Sequence, residues 1–159
     1  MILTALCNES FTQASSTDFT RKGKFIVEAG YNLIGGITSG TGISLLSDEG
    51  TTLYAVGFDM GTFLTEKLAL KGNLSILGIE GDNILSLGIG PKYYIANKIP
   101  IDASIGFLNV SDSNTIKFGA GVGYAIKLAD NILLEPNVNI NIFEDSNLFG
   151  FKASFVMLL

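Results

Sequence analysis

The sequence predicts an all-β protein, specifically an eight-stranded antiparallel up-and-down transmembrane β-barrel. Residues 132–142 show the pattern best, because from Leu134 on every second residue is apolar or proline and polar residues lie between. A period of two indicates a strand with two unlike faces. The pattern recurs along the chain in segments of about ten residues, as in membrane barrels. The chain is 47% hydrophobic with a mean hydropathy of +0.42, yet it has no run of about 18 apolar residues, which a membrane helix requires.

Composition excludes several functional classes. The 159 residues suffice for one domain, and the net charge of −5 without a basic cluster argues against nucleic-acid binding. The chain has no histidine, so it lacks the usual general base and the commonest metal ligand. Cys7 is the only cysteine, which excludes an intrachain disulfide. We therefore predict no catalytic residue, no cofactor and no metal, and a protein that is not an enzyme.

The N-terminal segment, residues 1–22, lacks the strand pattern. Met1–Cys7 is apolar but short, and Thr12-Gln13-Ala14 is a possible small-residue cleavage site. We interpret residues 1–22 as a weak or truncated signal peptide, or as a disordered segment, and residues 23–159 as the barrel.

Alternation and turn signals predict eight strands in order, at residues 24–34, 51–64, 68–78, 83–95, 99–110, 115–127, 132–143 and 148–159. Tight turns at 65–67, 96–98 and 129–131 recur at intervals of 31 and 33 residues, which indicates a hairpin repeat. The opposite end has turns at 78–82, 111–114 and 144–147 and a longer connection at 35–50. Pro91 and Pro136 fall inside predicted strands, so each should mark a bulge or a missing ladder bond.

One face of each strand is apolar and free of charge. In chain order the strands contribute to it Phe25, Val27 and Tyr31; Tyr54, Val56 and Phe58; Leu68, Leu70 and Leu74; Leu85, Leu87 and Tyr93; Ile101, Ile105 and Phe107; Ile116, Phe118 and Tyr124; Leu134, Val138 and Ile140; Phe149, Phe151 and Phe155. Its aromatic residues cluster near both ends, as in the girdles of a lipid-facing band. We therefore expect this face to contact the lipid bilayer, with both termini in the periplasm.

Several segments resemble the small outer-membrane β-barrel domain family of Gram-negative bacteria, the porin-like or OmpX-like barrels. They are residues 23–30 (GKFIVEAG), 90–95 (GPKYYI), 123–126 (GYAI) and 151–159 (FKASFVMLL). The resemblance covers residues 23–159 and implies localisation in the outer membrane and handling by the outer-membrane assembly machinery. Such barrels usually end in an aromatic residue, whereas this chain ends in Leu159. We expect a monomer.

The opposite face carries four acids and four lysines: Glu28, Asp59, Lys71, Lys92, Asp102, Lys117, Glu135 and Lys152. Lys92 and Asp102 should face each other across one hairpin, while Glu28 and Lys152 lie on the strands that close the barrel. We interpret these charges as an ion-pair network that fills the lumen, because eight strands enclose little more than their own side chains. A narrow polar conduit or a small-ligand site is the alternative. The glycines of residues 119–123 should make room for inward bulk such as Phe63 and Tyr94, rather than bind a nucleotide.

The outward connections carry a one-signed acidic rim: Asp48, Glu49, Glu80, Asp82, Asp112, Glu144 and Asp145. Three roles are open for the rim: solubility alone, binding of divalent cations that bridge to lipopolysaccharide, or attraction of cations to the mouth. The leading functional prediction is a non-enzymatic structural or surface protein of the outer membrane with a plugged polar lumen. A narrow porin-like channel is the second prediction. A soluble lipocalin-like carrier is the third prediction, and it requires the apolar face to point inward.

Overall fold

A computed structural model describes residues 22–34, 42–48, 51–79, 82–110, 113–144 and 146–159. The predicted signal segment, apart from Lys22, lies outside these ranges. The described residues form ten strands: β1 Phe25–Ile34, β2 Gly42–Asp48, β3 Thr51–Phe63, β4 Leu68–Ile79, β5 Asp82–Ile95, β6 Ile99–Val110, β7 Ser113–Gly123, β8 Ile126–Ala129, β9 Ile132–Ile142 and β10 Asn147–Leu158. There is no helix among them that is long and apolar enough to cross a membrane.

The strands close into an antiparallel barrel. Sequential neighbours pair from β3 to β7, β9 pairs with β7, β8 and β10, and β1 pairs with both β10 and β3. Strands β7 and β8 occupy one position beside β9, so eight strand positions complete the circle. The predicted eight-stranded up-and-down barrel is confirmed.

Two predicted boundaries are wrong. The connection at 35–50 contains β2, whose backbone pairs with β3 from Gly42↔Gly57 to Asp48↔Thr51. Its sequence, GISLLSD, has an apolar centre that suits a short strand. The predicted strand 115–127 is interrupted at Tyr124 and Ala125, between β7 and β8.

Pro91 and Pro136 each coincide with a break in a strand ladder, as predicted. The interruption between β7 and β8 lies opposite Pro136, which accepts a hydrogen bond from the Tyr124 amide at 3.0 Å but has no N–H to return one. The β5–β6 ladder passes from Ile89↔Ile105 to Lys92↔Asp102 and skips Pro91. Pro91 still pairs with Leu70 of β4 on its other side.

The three tight turns at one end confirm the hairpin repeat. In each turn a backbone carbonyl accepts a hydrogen bond from an amide farther along the chain: Lys67 from Tyr94, Lys98 from Ala125 and Asn131 from Leu158, at 2.7–2.9 Å. The middle turn has positive φ at Ala96 (50°) and Asn97 (58°), and the Lys98 amide donates to the Ile95 carbonyl at 3.0 Å. Positive φ at both central residues is the geometry of a type I′ turn.

The apolar face points outward. Phe25, Phe107 and Phe149, near the ends of their strands, are 59–67% exposed, and Ile89 and Ile105 between the ends are about half exposed. The buried charged residues of the strands lie on the opposite side, toward the lumen: Glu28, Asp59, Lys92, Lys117, Glu135 and Lys152. The soluble carrier prediction is therefore wrong, because a carrier would bury the same residues around its ligand.

Candidate functional site

The lumen is closed near the tight turns by a cluster that we call the apolar plug. Its members are buried and apolar: Ile26, Phe63, Ala69, Tyr94, Ala125, Leu133, Val156 and Leu158. Most of them are inward-facing residues next to a tight turn or a chain end, and these positions lie at a similar height in the barrel. Phe63 and Tyr94 are predicted as inward bulk from the sequence, whereas the other members of the plug are not. A signal was present at the first two tight turns, where the inward residues on both sides are apolar or proline: Phe63 and Ala69, and Tyr94 and Pro100.

Six of the eight predicted lumen charges form one connected group, which we call the ion-pair network: Glu28, Asp59, Lys71, Lys92, Glu135 and Lys152. Glu28 lies at its centre, with carboxylate oxygens 2.6 Å from Lys71 Nζ, 2.5 Å from Lys92 Nζ and 3.6 Å from Lys152 Nζ. Asp59 lies 3.9 Å from both Lys71 and Lys152. The network joins charges from six strand positions, which ties the walls of the barrel together.

Lys92 is the most enclosed cation of the network. Its ammonium donates to Glu28 and to Glu135, both at 2.5 Å, and the side chain is 3% exposed. Lys92 and Asp102 are backbone partners across the β5–β6 hairpin, as the sequence suggested, but they form no ion pair. The long lysine side chain instead reaches across the lumen to two carboxylates.

Tyr94 connects the plug to the network. Its hydroxyl donates to Glu135 at 2.8 Å, and its ring packs tilted against Phe63 with centroids 5.8 Å apart. Lys92 Nζ lies 5.3 Å from the centre of the same ring, within cation–π range. Tyr94 therefore satisfies a polar group above it while its ring fills space in the apolar layer below.

Lys117 and Asp102 are the two lumen charges outside the network. Lys117 is buried and donates to Ser86 Oγ at 2.9 Å. Both charged residues line a polar cavity of about 40 Å³ that also touches the network. Other walls of the cavity are formed by Asn73, Ser104, Asn139 and Asn141.

The glycines of residues 119–123 face the lumen, but polar side chains fill the space beside them. A Cβ on Gly119 would lie 2.5 Å from Ser104 Oγ, and one on Gly121 would meet Asp102 and Asn137. The expectation that they accommodate Phe63 and Tyr94 is wrong, because those rings lie in the plug. No helix follows these glycines, since Gly119–Gly123 belong to a strand.

Most of the acidic rim lies outside the described residues, namely Glu49, Glu80, Asp112 and Asp145. By their backbone positions, Asp48 ends β2 and Asp82 begins β5, both at the barrel end opposite the tight turns. Glu144 is exposed at the same end. In the part of the chain that is described, no three potential metal ligands come together. At the opposite end, the hydrogen bond and charge of Lys127 lower the pKa of the exposed Asp130 carboxyl.

A closed barrel with an apolar exterior and a charged interior defines the class: this is a transmembrane β-barrel fold. Solved structures with the same fold include the outer membrane protein Ail of Yersinia pestis in a phospholipid bilayer nanodisc, with a TM-score of 0.57, 11% identity, and coverage of 87% of this chain and all of Ail. The outer membrane protein OprG of Pseudomonas aeruginosa gives 0.54 and 11%, over 89% of this chain and 98% of OprG. A de novo designed transmembrane β-barrel gives 0.51 and 18%, over 87% and 98%. No protein-family model and no curated protein matches the sequence. The resemblance seen in the sequence is thus confirmed at the level of the fold.

Proposed function

We propose that the chain is a non-enzymatic, monomeric outer-membrane barrel with a structural or surface role and a lumen that does not conduct. The observation that carries the proposal is the pair of stacked layers across the lumen, the apolar plug and the ion-pair network. The outward apolar band supports insertion in lipid. The closed antiparallel sheet supports it as well, because strand pairing supplies hydrogen-bond partners to the backbone where water is absent. Ail and OprG, which share the fold, are outer membrane proteins.

Closure at the plug argues against a porin-like channel. Tyr94, Ile26 and Leu133 are fully buried within the barrel, and with the other members of the plug they form one apolar cluster across this level of the lumen. An ion that passed this layer would lose its hydration without gaining a ligand, which is prohibitive for a charge in an apolar medium. The ion-pair network above the plug already uses its carboxylates and ammonium groups on each other.

Planar-bilayer conductance tests the closed lumen. The refolded full chain is reconstituted into vesicles, its insertion is checked by the gel mobility change that folded barrels show on boiling, and the vesicles are fused to the bilayer. We expect no discrete current steps in wild type. A double variant, Phe63→Ala with Tyr94→Ala, removes the two rings of the plug and serves as the comparison. Salt-dependent steps in wild type would overturn the proposal and favour the narrow channel.

We further propose that lipopolysaccharide contacts the acidic rim through divalent cations, and that the assembly machinery inserts the barrel. The rim proposal is supported by the exposed Glu144 and by Asp48 and Asp82 at the same end. Added calcium should raise the thermal stability of the purified barrel, and a chelator should reverse the rise. Equal melting temperatures in calcium and in chelator would leave solubility as the role of these acids.

A further inference from the structure

Strands β1, β4 and β6, which lead away from the tight-turn end, begin in the same way. Each starts with an apolar residue of the outward face that follows a lysine directly, as Lys24-Phe25, Lys67-Leu68 and Lys98-Ile99. The other strand that leads away from this end, β9, starts at Ile132 and follows the neutral Asn131. A lysine is therefore placed at the edge of the apolar band on three strands, and one strand lacks it.

The three lysines lie along one arc of the barrel end, which we call the basic arc. The strands β1, β3, β4, β5 and β6 that carry it are consecutive neighbours in the sheet. The Lys24 carbonyl accepts the Phe63 amide at 2.9 Å, which holds the start of β1 against the end of β3. The Lys67 carbonyl accepts the Tyr94 amide at 2.9 Å, and Thr65 Oγ1 accepts the Lys67 amide at 3.2 Å. The backbone of the arc is thus fixed by hydrogen bonds to neighbouring strands.

The charge of the basic arc is not neutralised by ion pairs. Lys67 and Lys98 are exposed, Lys24 is half-buried, and none of the three forms an ion pair within the described residues. One acid, Glu66, lies in the turns of the arc. Lys127, at the same end but beyond the arc, pairs instead with Asp130 at 2.7 Å. The connections at the opposite end of the barrel contain no lysine or arginine, so the two ends differ in the sign of their charge.

The basic arc lies at the level of the lipid headgroups. Each of its lysines is one residue, or about 3 Å of strand length, beyond the apolar band. The headgroup layer on each side of a bilayer is roughly 5–8 Å thick, and a lysine side chain extends its ammonium group from an apolar edge into such a layer. The exposed rings of Phe25, Tyr93 and Tyr124 lie on the outward face near the same turns, as in the aromatic girdles that mark the interface of membrane barrels.

We propose that the basic arc binds the anionic headgroups of phospholipids in the leaflet next to the tight turns. Each ammonium group supplies a positive charge and three N–H donors for phosphate oxygens. The position of the lysines directly beside the lipid band favours a lipid over a soluble acidic partner. The acidic rim at the other end repels the same headgroups, so the two ends of the barrel select different lipid surfaces. Binding at the arc requires insertion in lipid but does not depend on whether the lumen conducts.

Lipid selectivity, measured with spin-labelled phospholipids, tests the basic arc. The refolded full chain is reconstituted in phosphatidylcholine vesicles, and the motionally restricted part of the spectrum gives the ratio of the association constants of phosphatidylglycerol and phosphatidylcholine. The triple variant Lys24→Gln, Lys67→Gln and Lys98→Gln keeps the acidic rim, so its comparison with wild type isolates the arc. The ratio should fall by about two- to fivefold, because a lysine near an anionic surface contributes roughly fivefold and other lipid positions dilute the effect.

The matched control is Lys127→Gln with Asp130→Asn, which removes the paired charges of the same end and should leave the ratio unchanged. Asn131→Lys adds the lysine that β9 lacks and should raise the ratio. Sodium chloride at about 1 M, where the screening length is about 3 Å, should abolish the difference between wild type and the triple variant. Equal ratios in these two proteins at low salt would overturn the proposal, and so would a difference that persists at high salt. If gel mobility shows that the triple variant does not fold, Asn131→Lys decides, because a ratio no higher than that of wild type would refute headgroup binding.

Discussion

Replacement of Lys92 by methionine should destabilise the barrel strongly. Methionine keeps most of the side-chain volume, so the change removes charge rather than packing. Lys92 Nζ is the only cation within 4.0 Å of Glu135 in the described structure, and after its removal Glu135 retains the Tyr94 hydroxyl at 2.8 Å. Glu28 keeps Lys71 at 2.6 Å and Lys152 at 3.6 Å. The uncompensated charge therefore falls on Glu135.

The expected loss in free energy of unfolding is about 3–5 kcal/mol, the usual cost of removing one partner of a buried ion pair. The double variant Lys92→Met with Glu135→Gln should recover much of this loss, because the glutamine leaves no buried carboxylate without a cation. Lys98→Met makes the same substitution at the exposed β5–β6 turn and should change stability by no more than about 0.5 kcal/mol.

Equilibrium unfolding by urea in detergent micelles or vesicles, followed by circular dichroism because the chain has no tryptophan, gives the comparison. The gel mobility of unboiled samples shows whether each variant is folded at the start. If Lys92→Met unfolds at the same urea concentration as wild type, the ion pairs contribute no net stability. If the double variant is no more stable than Lys92→Met, the loss does not arise from the charge of Glu135.

Three further changes test the turn, the sheet and the lipid face by the same unfolding measurement. Ala96→Asn should add about 0.5–1 kcal/mol, because asparagine tolerates the positive φ of 50° better than alanine; no gain would mean that the turn is unstrained. Gly106→Ala places a Cβ against the backbone carbonyl of Leu87 and should cost about 1–3 kcal/mol, whereas Gly72→Ala, with nothing nearer than 3.8 Å, should cost little. Equal losses at the two glycines would refute the close approach at Gly106. Ile105→Arg should cost about 2–4 kcal/mol in vesicles if its outward position, 49% exposed, lies near the bilayer midplane; a neutral result would contradict lipid contact there.

Sequence alone was sufficient for the features that depend on neighbours along the chain. The alternation around Leu134 gives the strand and the lipid face, the recurring turns give the hairpin order, and Pro136 gives the interrupted ladder. Strand β2 was missed because its seven residues lie in a connection rich in glycine and serine, where the period-two signal is short.

The lumen contacts depend on which walls face each other, and local pattern does not determine this. The hairpin register correctly placed Lys92 opposite Asp102, but a lysine side chain is long enough to choose a partner across the barrel. Glu28 and Glu135 together attract the Lys92 ammonium more strongly than the single carboxylate of Asp102 does. The apolar plug is harder to predict, because the inward face is marked mainly by its charged residues. Ile26 and Leu133 are single apolar residues on that face, and the sequence does not show that they lie at the same level.

The order of the layers follows from the cost of removing charge from water. Beside the apolar plug, each charge of the network lies within 4.0 Å of an opposite charge. Lys117 lies farther from the plug, beside the polar cavity, where its ammonium donates to the Ser86 hydroxyl and no carboxylate of the described residues lies within 4.0 Å. A lone charge at the level of Lys92 would face the apolar side chains of the plug. The lysine next to the plug is therefore the one held by two carboxylates, Glu28 and Glu135, whereas the lysine without a carboxylate in contact lies beside the polar cavity.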